Sequence, residues 1–136
     1  EVAFRKQQTV HALMRLFGSS DATAWGVHIA VALAALGFTA WLWIRPVDDR
    51  LKKAALAMTA LLATPYLFIY DLPILSIPVV FLASLGIDRG FIPGERTAIA
   101  ILMPVLLLCA GQPVGVPLLL ALWLLIVLRL QRERRA

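Results

Sequence analysis

The chain has 136 residues, of which 61% are hydrophobic and 15% charged, with a mean hydropathy of +0.86 and a formal net charge of +5. The charges gather at the ends and in short connectors, which argues against a soluble domain and for membrane helices, the structures that satisfy their own backbone in lipid. Strand alternation is absent, which argues against a β-barrel. The basic residues sit at span ends, where they anchor and orient helices, so nucleic acid is not an expected partner.

Residues 2–17 predict a short amphipathic helix: Val10, Leu13, Met14 and Phe17 fall on one apolar stripe, while Gln8, His11 and Arg15 line another face. Such a helix lies along the membrane interface rather than crossing it. Gly18-Ser19-Ser20-Asp21 ends it and supplies a cap for the next helix. Residues 1–24 are accordingly expected to form an extracytoplasmic helix and loop. The first residues lack both an initiator methionine and an apolar leader, and the chain reads as the C-terminal piece of a longer protein.

Five spans follow, over residues 25–44, 54–70, 72–85, 93–110 and 114–130. Tryptophans mark both ends of the first (Trp25, then Trp41 and Trp43), as interfacial aromatic belts do. Pro65 breaks the second, Pro73 and Pro78 bend the third, and Pro104 lies inside the fourth. Charged connectors occupy 45–53 and 86–96, and a basic tail occupies 131–136. The fold class is therefore all-α: a polytopic transmembrane helical bundle of about five spans preceded by an interfacial helix. The lone Cys109 allows neither an intramolecular disulfide nor a cysteine-based zinc site.

Orientation follows from the basic residues. With the 45–53 connector in the cytoplasm, ten of the 13 lysines and arginines fall inside, leaving Arg5, Lys6 and Arg15 outside. The N-terminal helix and Asp71 then share the extracytoplasmic face, and the C-terminus is cytoplasmic.

Asp71 is the first candidate for chemistry, because an ionisable residue beside hydrocarbon marks a functional site by default. It also suits the N-cap of the following helix, and the two roles are compatible. Tyr66 and Tyr70 offer flat apolar faces with hydroxyls, fitting either an interfacial belt or a sugar or prenyl platform. Arg5, Lys6, Gln7, Gln8, His11 and Arg15 form a polar cluster that fits a solvated face or a site for a lipid-linked phosphate. His28 is expected to pack against a neighbouring helix, and Glu95 to serve the first turn of its own. No metal site and no cofactor is expected. There is no P-loop, G-x-G-x-x-G, H-E-x-x-H or G-x-S-x-G pattern.

Thr64-Pro65-Tyr66 followed by Tyr70-Asp71-Leu72 resembles the "TPY…YDL" signature in the C-terminal half of glycosyltransferase family 87. Lys6 to Val10, running into Leu13 to Gly18, is similar to that family's "NQS…LR..G" stretch, with Gln7 where the family has asparagine. Gly90-Phe91-Ile92-Pro93 with Glu95 is similar to its connector after the third span.

The resemblance implies a GT-C fold and a polyprenyl-phosphate sugar donor. It also implies a lipid or glycan acceptor outside the cytoplasm, in a bacterial plasma membrane. In such enzymes the catalytic carboxylate lies near the N-terminus, in a part this chain lacks. Asp71 is then expected to orient sugar or acceptor. Tyr66 and Tyr70 would shape the cavity rim, and Arg5, Lys6 and Arg15 would hold the leaving phosphate. The rival expectation is a transporter or flippase subunit whose broken helix lines a substrate path. A third is a membrane anchor without chemistry.

Overall fold

The computed structural model describes residues 9–65, 73–108 and 115–135. Among these the elements are all helical: α1 (Val10–Leu16), α2 (Asp21–Trp43), α3 (Asp49–Ala63), α4 (Ser76–Arg89), α5 (Glu95–Leu108) and α6 (Gly115–Arg135).

Local chemistry fixes the ends of these helices. Thr9 is extended (φ −111°, ψ 157°) and its hydroxyl accepts the Ala12 amide at 3.1 Å, so α1 starts at Val10, and the expected helix over 2–17 falls partly outside the described residues. Gly18 (φ +82°) closes α1: its amide bonds the Arg15 carbonyl, and that of Ser19 bonds Met14, the paired contacts of a Schellman turn. Ser20 then caps α2 through the Thr23 amide at 3.2 Å. Asp48 caps α3 through the Arg50 amide at 2.9 Å. The helix therefore begins inside the charged connector, five residues ahead of the expected span, because acidic residues favour a first turn.

At its far end α3 stops at Ala63. Thr64 is extended, as a residue before proline tends to be, and its hydroxyl donates to the Ala60 carbonyl at 2.7 Å. Pro78 is the third residue of α4 and Pro117 the third of α6, positions where no helical amide bond is lost. Pro78 therefore starts a helix instead of bending one. Gly90 (φ +81°) ends α4, four residues beyond the expected limit of the third span.

Among the described residues two helices, α2 and α6, are long and apolar enough to cross a membrane. They coincide with the first and fifth expected spans. Apart from the seven-residue α1, the others have 14 or 15 described residues, about 22 Å of helix against a hydrocarbon core of about 30 Å.

Large apolar side chains lie exposed on both of these helices. In α2 the buried residues Ala24, His28, Ala35, Thr39 and Leu42 form one narrow seam, and only 22% of its most apolar stretch is buried. Ile29, Leu33 and Leu36 point outward, as do Leu120, Leu124 and Leu128 of α6. α6 is half buried over its most apolar stretch and also contributes to the core, so α2 is the more exposed of the two.

The helices pack antiparallel in sequence around one core containing Leu42, Leu51, Met58, Leu82, Leu119, Leu122 and Ile126. Small residues at the α2–α3 seam permit close approach. There Thr39 and Thr59 share a buried hydroxyl contact of 2.6 Å, and the Thr59 hydroxyl lies 3.3 Å from the Ala35 carbonyl.

Candidate functional site

The alternating helices give the molecule two chemically different ends. One carries α1, the start of α2 and the close of α3; the other carries the starts of α3 and α5 and the closes of α2, α4 and α6.

At the first end His11 is 8% exposed and tilted against Trp25 with ring centroids 4.7 Å apart. Its Nε2 lies 3.2 Å from Asp21 Oδ1, which also faces Arg15 Nε at 3.9 Å. Arg15 donates to the Ser19 carbonyl at 2.9 Å. The polar face of α1 therefore docks on the start of α2 instead of facing solvent. Phe17, expected on the apolar stripe, is the C-cap of the helix that ends at Leu16 and is 78% exposed.

His28 is 3% exposed, edge-on to Trp25, and faces the Ala63 carbonyl at the close of α3. Its packing between helices agrees with the reading from sequence. The Thr64–Pro65 break thus stands beside His28, with His11 one ring further on. Of the expected site residues, His11 and Arg15 are together here. Asp71, Tyr66, Tyr70, Arg5, Lys6 and Gln8 lie outside the described residues.

The second end holds a network that the sequence reading did not assemble. Asp48 accepts from Arg50 Nε at 3.1 Å and faces Arg89 Nη2 at 3.0 Å. Arg50 continues to Asp88 and, at 2.8 Å, to Ser84 on α4. Arg89 also meets Glu133 of α6 at 3.3 Å. The Arg50 hydrogen bond, helped by its backbone amide and the Arg50 and Arg89 charges, holds the Asp48 carboxyl below its ordinary range against the opposing effect of burial.

Beneath this network, Arg129 Nη1 donates to the Gly90 carbonyl at 2.8 Å and lies 3.4 Å from Glu95 Oε2. The same carboxylate oxygen accepts the Ile92 amide at 2.8 Å, closing the turn that leads into α5, where the Glu95 amide returns a bond to the Ile92 carbonyl at 2.9 Å. Both side chains are essentially excluded from solvent, at 2% and 0% exposure. Glu95 Oε1 and the Nε and Nη2 of Arg129 have no hydrogen-bond partner among the described residues.

One signal could have found this pair: Arg129 sits inside the apolar run Leu128-Arg129-Leu130, the same anomaly that drew attention to Asp71. Among the described residues no group of three His, Cys, Asp or Glu side chains is placed to hold a metal ion.

These features define an all-helical protein with two candidate membrane-spanning helices and a charged network at one end. Comparison of the chain with family models, with curated proteins and with solved structures finds no match.

Proposed function

We propose that this chain is the C-terminal part of an integral membrane glycosyltransferase. It would move a hexose, mannose by resemblance, from a polyprenyl-phosphate donor to an extracytoplasmic lipid or glycan acceptor. The reading takes the chain as five spans in a bacterial plasma membrane with a cytoplasmic C-terminus and joins it to an N-terminal remainder that supplies the general base. One observation carries it beyond the motif resemblance. The Thr64–Pro65 break stands at the end of the molecule that carries His11, Asp21 and Arg15, away from the main concentration of arginines.

A broken helix mouth beside cationic and hydrogen-bonding groups suits a departing phosphate, whose developing charge is best held by fixed donors. Arg5, Lys6 and Arg15 supply the charge in this reading, and Gln8 and His11 supply hydrogen bonds. Asp71 orients a sugar hydroxyl between Tyr66 and Tyr70.

The test is transfer of labelled mannose from polyprenyl-phosphate-mannose by the full-length protein in membranes, compared with lipid translocation in proteoliposomes. Transfer that disappears in Asp71→Asn at normal expression supports the reading. Translocation without transfer replaces the enzyme with the flippase alternative, and unchanged turnover in Asp71→Asn removes that residue's role.

A further inference from the structure

Two cavities at the arginine-rich end share Arg89 and Glu133. The larger, of about 550 Å3, is walled by the α2–α3 connector (Arg45 to Asp48), by Arg89, and by Leu130, Glu133 and Arg134 of α6. The smaller, of about 220 Å3, is lined by Arg89, Arg129, Arg132 and Glu133.

The charges in this basin do not cancel. Asp48 is taken up by Arg50 and Arg89, and Glu133 by Arg89. Arg45 and Arg134 form no ion pair among the described residues. Each instead rests on the Trp41 ring, with its guanidinium carbon 5.0 Å from the centroid. Arg132 has a carbonyl contact, to Gly90 at 3.3 Å. Arg129 lines the inner cavity with two guanidinium nitrogens that bond nothing among the described residues, although the side chain is only 2% exposed.

Guanidinium groups converging on one concavity are the arrangement that binds phosphate, through forked and charge-assisted hydrogen bonds. A basic pocket between helices at one membrane face is where anionic lipid headgroups bind. The rim also suits a lipid: Trp43 is 51% exposed, Ile44 79% and Ile87 75%, all beside the arginines.

We propose that this basin binds the phosphate of an anionic phospholipid headgroup, held by Arg45 and Arg134 with Arg89 and Arg132 behind them. The cavity volume lies within the range of small-molecule pockets, roughly 300–1,000 Å3. The proposal rests on the membrane reading of the chain but not on glycosyl transfer. It concerns the opposite end from the sugar-donor site.

The full-length protein, purified and delipidated in dodecyl maltoside, is titrated with dioctanoyl phosphatidylglycerol, dioctanoyl phosphatidylcholine and inorganic phosphate. Binding is read by native mass spectrometry and by the rise in melting temperature. Phosphatidylglycerol is expected to bind saturably at one site, at least about tenfold tighter than phosphatidylcholine. Arg45→Gln with Arg134→Gln weakens it about thirtyfold, two surface charges being removed. The Lys pair keeps most of the affinity, and Arg96→Gln, on the exposed first turn of α5, changes nothing.

Should the double Gln variant not fold, Arg134→Gln alone carries the test with about a fivefold loss. Inorganic phosphate binding as tightly as phosphatidylglycerol keeps the phosphate site and makes its ligand a soluble phosphoanion. Equal binding of the two lipids without phosphate binding overturns the proposal, as does a folded Gln variant that binds like the wild type. A protein that stays in solution without detergent sinks the membrane reading separately, and the phosphate titration still reads the site.

Discussion

Arg129 of α6 reaches across to Glu95 at the start of α5, 3.4 Å away, and the same guanidinium nitrogen holds the Gly90 carbonyl at 2.8 Å. One side chain therefore ties the last helix to both sides of the α4–α5 connector. Removing one partner of a buried ion pair leaves an uncompensated charge. Glu95→Leu or Arg129→Leu is expected to cost about 3–5 kcal/mol, whereas the double apolar variant recovers most of that loss. Thermal unfolding of the detergent-solubilised protein checks the cycle.

The turn after α4 is a steric device. A Cβ at Gly86 would collide with the Phe91 ring, so that ring folds back onto a helix face that must stay bare. Gly86→Ala is expected to destabilise by about 1–3 kcal/mol, and Phe91→Ala in the same chain to reduce the increment. At Gly90 the fault is backbone instead: φ +81° with ψ 145° strains any L side chain, and Gly90→Ala costs about 1–3 kcal/mol whatever stands at residue 91. A double-mutant cycle separates the two mechanisms.

Thr39 and Thr59 meet at 2.6 Å on the α2–α3 seam. Thr59→Val removes that contact without changing shape. The freed Thr39 hydroxyl can turn to the Ala35 carbonyl one helical turn back, which lost its Thr59 donor in the same substitution. The expected cost is small, about 0.6 kcal/mol and below 2. A larger drop in melting temperature would mean that the backbone cannot supply this alternative.

Asp48 gives the expected pH dependence. Its folded pKa lies below the ordinary value of 3.8, chiefly through the Arg50 hydrogen bond. The stability it contributes is therefore fully present above the unfolded value and is lost as the pH falls through the lowered folded one. Melting temperature is expected to hold from neutrality to about pH 4 and then fall. Asp48→Asn should start lower and flatten that acid limb, measured side by side in one buffer series.

Helices were legible where the chain is long and apolar: α2 and α6 overlap the spans expected over 25–44 and 114–130. Caps were legible too, since Ser20 follows Gly18 in the order that local hydrogen bonds require. Glu95 was legible as a first-turn residue, and it begins α5; the starts at Asp21 and Asp49 were less so. Those two looked like loop or connector residues, yet an acid in a first turn is stabilised by the helix it begins.

The site divides in the same way. His11 and Arg15 stood out by type, but their joint hold on Asp21 depends on the angle at which α1 meets α2, which a Gly-φ value sets and periodicity does not. The Arg50, Arg89 and Arg129 contacts link residues far apart in sequence, and no local pattern announces which acid each arginine will choose.

Arg89 is gripped by Asp48, in the connector between α2 and α3, and by Glu133 of α6. Arg134, one residue on, lies against Trp41. Trimming the sequence after Leu130, or fusing a bulky reporter tightly to the last turn, would loosen the hairpin between α2 and α3 without touching either helix. A purification tag on this side needs a spacer; without one, a loss of melting temperature could be mistaken for an intrinsic weakness of the protein.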